Sequence, residues 1–169
     1  AAGVYTVTET GGTTPVTNLA DYSTGLVCVN NNATSPAVDF TAGGRVTLSE
    51  GQEVVCTFTN TRLLPNIAHD KTFVSATAVG DTWGVVYRIT VNNNGGASGV
   101  YTLTDQPAMD DDIDINSVSF VSSVPSNGAL AGSGPWTLAT NQSLNAGVSH
   151  VYTLTVNVGL NLAGGAGDD

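Results

Sequence analysis

Alternation is the pattern that most constrains this chain. Apolar and polar residues trade places over runs of about five to eight residues, each bounded by clusters of Gly, Asn, Pro and Ser. In Val85-Val86-Tyr87-Arg88-Ile89-Thr90-Val91 the residues Val85, Tyr87, Ile89 and Val91 share one face. A period of two is the mark of a strand half-buried in a sheet. No long stretch places apolar residues at i, i+3, i+4 and i+7, so helices are nearly absent. Many short alternating runs between turn clusters predict an all-β chain built from antiparallel sandwiches.

The runs fall into two tandem units. In the first, residues 1–62, Val4 to Glu9 alternates with Tyr5, Val7 and Glu9 on one face, and Gly11-Gly12 ends the run. Tyr22 to Val29, Val38 to Phe40, Arg45 to Leu48 and Glu53 to Asn60 follow, the last with Cys56, Phe58 and Asn60 on one face. This unit is small for a sandwich, and its opening strands are expected to be absent. Pro65 interrupts pairing, so residues 63–68 are expected to be a linker. The second unit, 69–162, opens with the run at Lys71 and continues through Val85–Val91. Asn92-Asn93-Asn94-Gly95-Gly96 has the composition of a turn with positive φ. Val100 to Asp105 places Tyr101, Leu103 and Asp105 on one face. Val118 to Val121, Trp136 to Leu138 and His150 to Val158 supply further strands. The Gly-rich tail 163–169 is expected to be loose.

Charge narrows the function. The net charge is −10, and the cations are Arg45, Arg62, Lys71 and Arg88 alone. A nucleic-acid backbone requires clustered Lys and Arg, so nucleic acid is excluded as a partner, as is an anionic membrane surface. No apolar run reaches the ~18 residues of a spanning helix. No signal-peptide pattern opens the chain, which is therefore processed or a piece of a longer protein. Few charges with abundant Thr and Val are typical of secreted or cell-surface β proteins. Cys28 and Cys56 each sit in a strand-like run, and a disulfide in an oxidising compartment is favoured over two buried thiols. It would stabilise by roughly 3–4 kcal/mol through loop closure.

Lys71 is the chain's single lysine, and alternation puts it on the face of Phe73. Asp105 in the second unit, and Glu9 and Asn60 in the first, also fall on faces otherwise apolar or aromatic. Lone buried charges are costly, so such groups pair, neutralise or react. An ordinary, partly buried Lys71–Asp105 salt bridge is one outcome. The reactive outcome is an isopeptide: a desolvated lysine amine attacks an asparagine carboxamide, a buried carboxylic acid shuttles the protons, and ammonia leaves.

Gly3-Val4-Tyr5-Thr6-Val7-Thr8-Glu9-Thr10, with Val55-Cys56-Thr57-Phe58-Thr59-Asn60-Thr61, resembles the collagen-adhesin B-type (SpaA-like, prealbumin-like) repeats of bacterial surface proteins. The resemblance implies a prealbumin-like sandwich in which Glu9 is the catalytic acid and Asn60 the acceptor. It also implies a lysine on a first strand, which does not precede residue 5 in this sequence. Residues 70–162 resemble the Ig-like surface repeats known as domain of unknown function eleven. Asp70-Lys71-Thr72, Val86 to Gly95, Tyr101-Thr102-Leu103-Thr104-Asp105 and Val151 to Val156 carry that resemblance. It implies Lys71 as nucleophile and Asp105 as acid. Asn157 is a poor acceptor, because Tyr152, Leu154, Val156 and Val158 take the inward face and turn it outward unless a bulge intervenes.

Asp110, Asp112 and Asp114 alternate with Ile113 and Ile115, which would place several oxygens on one strand face, as calcium prefers. The spacing is not that of an EF-hand, and a solvated polar edge is the plainer expectation; no other cofactor is implied. Asn32-Ala33-Thr34 and Asn141-Gln142-Ser143 match glycan sequons. His69 and His150 lack nucleophile or metal-ligand neighbours, and no turnover chemistry is visible. The expected role is a non-enzymatic extracellular module of a stalk, adhesin or filament, with strands missing or supplied in trans by neighbouring copies or repeats. The alternative is a glycan- or calcium-dependent binding module using Trp83, Trp136 and the Asp110–Asp114 segment. The adhesive target is not readable.

Overall fold

The computed structural model describes residues 2–31, 39–41, 44–125 and 127–161. The chain is all-β, its described strands pair antiparallel, and it divides into two compact units, Ala1–Leu63 and Leu64–Asp169. No helix among the described residues is long and apolar enough to cross a membrane.

The first unit contains β1 (Gly3–Thr6), β2 (Tyr22–Asn30), β3 (Asp39–Thr41), β4 (Arg45–Leu48) and β5 (Val54–Arg62). They form a three-stranded sheet, β1-β4-β3, and a two-stranded sheet, β2-β5. The expected run Val4–Glu9 is shorter than alternation suggested: β1 ends at Thr6. Beyond it Val7 N–H donates to the Gly44 carbonyl at 2.8 Å, and Gly44 turns there with φ 75°. A side chain at Gly44 would meet the Val7 carbonyl. Among the described residues of this unit, Val46 is the one fully buried apolar side chain. The sequon at Asn32, the residue Val38 and the tail 163–169 lie outside the described residues.

The second unit contains β6 (Ile67–Val79), β7 (Thr82–Asn93), β8 (Gly99–Asp105), β9 (Ile113–Ser122), β10 (Gly128–Leu130), β11 (Trp136–Leu144) and β12 (Ser149–Leu160). A five-stranded sheet, β10-β9-β12-β7-β6, faces a two-stranded one, β11-β8. Ile89, Val91, Val118, Phe120, Leu154 and Val156 from the larger sheet pack with Leu103, Trp136, Leu138 and Leu144 from the smaller. Period-two alternation in β7, β8 and β12 therefore does select the core.

Three expectations are corrected. Residues 63–68 are not a free linker: Leu64 and Asn66 carbonyls accept from Gly96 and Asn94 N–H groups, and Ile67 already pairs with Asn93. Asn92 and Asn93 are not turn residues but the last of β7, and Asn94 to Gly96 turn without positive φ. Finally, the Lys71–Phe73 face is not core. With two strands opposite five, edge strand β6 is left largely uncovered, and Phe73 is 62% exposed.

Candidate cross-linking sites

Lys71 lies on β6 opposite Ile89 of β7. Its Nζ donates to both oxygens of Asp105, each at 2.8 Å, and sits 4.5 Å from the centre of the Tyr87 ring. Asp105 closes β8, where the register that buries Tyr101 and Leu103 buries it too. The pair is asymmetric: the Lys71 side chain is 32% exposed and the Asp105 side chain 10%. The carboxylate depends on the amine more than the reverse, because the lysine could turn to water and Asp105 could not. Lys71→Met is expected to cost about 2 kcal/mol, between exposed and buried pairs. Lys71→Met/Asp105→Leu should recover at least half of that in a urea melt; no recovery would mean that the buried charge is not the cause.

Asn157 is not brought to Lys71. Ile89 pairs with Tyr152 on its other side, and Asn157 lies five residues further along β12, about 17 Å at strand rise. Its amide contacts Asn116 Nδ2 and Thr82 Oγ1, each at 3.4 Å. A bulge does occur beside it, but the extra residue is Asn116 of β9, so the parity of β12 is unbroken and Val156 and Val158 stay buried.

In the first unit the two residues singled out by sequence meet. Asn60 Nδ2 donates to Glu9 Oε1 at 2.6 Å. A third group, Thr24, donates its hydroxyl to Asn60 Oδ1 at 2.7 Å. Asn60 thus turns its amide nitrogen to Glu9 and its carbonyl oxygen to Thr24. Glu9 Oε2 is buried and has no hydrogen-bond partner among the described residues. A cavity of about 260 Å³ borders the pair, lined by Gly11, Gly12, Thr17, Leu19 and Tyr22 among others. Sequence reading missed Thr24, yet the signal was present. If Cys28 faces Cys56, antiparallel register puts the residue four before one opposite the residue four after the other, which is Thr24 opposite Asn60. Cys28 and Cys56 do form the disulfide.

Of the other candidates, Asp110 and Asp114 line a common cavity. Asp110 caps the turn before β9, its Oδ1 accepting from Asp112 N–H at 3.2 Å. Since β9 begins only at Ile113, Asp110 and Asp112 do not share a strand face with Asp114, contrary to the alternation argument. Among the described residues no three His, Cys, Asp or Glu side chains gather to hold a metal ion. Trp136 is a core residue, 2% exposed, which removes it from any binding surface. His150 is not isolated: Tyr101 Oη lies 2.8 Å from its Nδ1 and 2.6 Å from Tyr152 Oη. Burial first, then the bond to Tyr152, push the Tyr101 hydroxyl well above the ordinary tyrosine range, so it stays neutral.

Residues 1–62 match the family model of a prealbumin-like fold domain of the SpaA type. No curated protein and no solved structure matches the chain.

Proposed function

We propose that this chain is a structural module of an extracellular bacterial stalk, adhesin or filament, held by a disulfide and by Lys–Asn isopeptides. The observation that carries this is the Glu9–Asn60 contact at 2.6 Å inside a segment that matches a prealbumin-like SpaA-type domain. An acid held on a carboxamide, with a buried free oxygen beside a cavity, is arranged for an amine to arrive. The chemistry happens once per bond, so the module is structural and not a turnover enzyme. In the second unit Lys71 is the nucleophile and Asp105 its acid, in line with the resemblance to bacterial surface repeats.

In this reading the amine for Asn60 and the carboxamide for Lys71 come from strands of neighbouring copies or repeats. Two features support strand complementation. β6 is a sheet edge of thirteen residues, and Phe73 beside Lys71 is uncovered. Disulfide formation fits an oxidising, extracellular location.

Intact mass of the native material, with and without reductant, tests the reading. Chains joined by isopeptides would appear as multiples of the chain mass less one ammonia per bond, and Lys71→Ala should remove the bonds made through the second unit. Single-chain masses accounted for by the disulfide alone reject the isopeptide reading. Negative-stain images that show only dispersed particles at high concentration would reject assembly by strand exchange.

A further inference from the structure

We infer that Thr24 is a catalytic residue of the Asn60 site, the donor that stabilises the oxyanion when an amine attacks. The inference rests on the isopeptide reading of the first unit and divides its labour differently from a single acid acting on the carbonyl. Glu9 does not touch the carbonyl oxygen; it touches the amide nitrogen. The carbonyl oxygen is held by the Thr24 hydroxyl at 2.7 Å. Thr24 and Asn60 are direct register partners on β2 and β5, and the Cys28–Cys56 bond four residues away pins that register. A donor placed before charge develops is the most effective kind, since it needs no reorganisation during reaction.

The steps balance. A neutral primary amine, carried by a lysine of another strand, enters beside Glu9 Oε2, and its lone pair attacks Asn60 Cγ. The carbonyl electron pair moves onto Oδ1, where the Thr24 O–H bond holds it. The attacking nitrogen gives a proton to Glu9 Oε2; the carboxyl then turns and delivers that same proton to Nδ2, which leaves Glu9 as it began. The Cγ–Nδ2 bond breaks, ammonia leaves, and a secondary amide remains. Glu9 therefore bridges the incoming and departing nitrogens with its two oxygens, which accounts for one oxygen bonded and the other buried and free.

Methylamine, the smallest stand-in for the end of a lysine side chain, tests this on the full chain. Wild-type protein is expected to become N-methylated at Asn60 with release of ammonia, read by peptide mass mapping. Thr24→Val should slow the reaction about 100-fold, Thr24→Ser should return to within about tenfold of wild type, and Glu9→Gln should abolish it. Valine suits an exposed strand position, and hydrogen exchange across β2 and β5 reports whether the fold is kept. A Thr24→Val protein that reacts at the wild-type rate while Glu9→Gln is dead overturns the role of Thr24 and leaves the cross-linking reading standing. A wild-type chain that releases no ammonia overturns both.

Discussion

Reduction of the Cys28–Cys56 disulfide is expected to unfold residues 1–63 and to leave residues 64–161 folded. Among the described residues, Val46 is the only apolar side chain of the first unit that is fully buried, whereas fourteen apolar residues form the core cluster of the second. A unit of this size with so little core depends on a covalent staple. The bridge closes a span of 28 residues, worth about 3–4 kcal/mol on the chain-entropy view. Folded small domains have little more than that in reserve. Hydrogen exchange with and without reductant separates the units: protection in β2 and β5 should vanish while protection in β7 and β12 persists. Reduced protein that stays protected in β2 and β5 would show that these strands hold without their bridge. Cys28→Ala should behave as the reduced form does.

Asn93→Ala is expected to destabilise the second unit by about 3–4 kcal/mol, more than most single changes outside the apolar core. The side chain is 1% exposed, and all of its donors and acceptors are used. Oδ1 accepts from Asn66 and Gly95 N–H groups, each at 3.0 Å; Nδ2 donates to the Ala97 carbonyl at 2.8 Å and the Leu144 carbonyl at 3.0 Å. Alanine would leave backbone groups of three segments unpaired out of reach of full solvation. Asn93→Asp should be at least as harmful, because a carboxylate cannot donate to the two carbonyls. Urea midpoints compare the variants, and a loss below about 1 kcal/mol would show that water replaces the side chain in this role.

Asn93 also shows where sequence reading stops. In Asn92-Asn93-Asn94-Gly95-Gly96 the local chemistry speaks for a turn, and nothing local separates the middle asparagine from its neighbours. Its role is set by Leu144, fifty-one residues away. The strands were legible because alternation is local: Arg45–Leu48 was found to the residue, and the burial of Tyr101, Leu103 and Asp105 follows their parity. Parity misled at Lys71 and Phe73 for a physical reason. It tells which side of the sheet a residue faces, and burial on that side requires a second sheet wide enough to cover it. The candidate sites were legible in part. The structure brings Lys71 to Asp105 and Glu9 to Asn60, whereas Thr24 required the strand register as well as strand identity.

The position of the disulfide has a mechanical consequence. Tension entering the chain before Cys28 and leaving after Cys56 crosses from β2 to β5 through the sulfurs and bypasses the segment between them. That segment holds about 100 Å of contour length at full extension. Under load in an oxidising medium it cannot be drawn out, so the first unit yields only by its flanks; a reducing medium would turn the same stretch into slack.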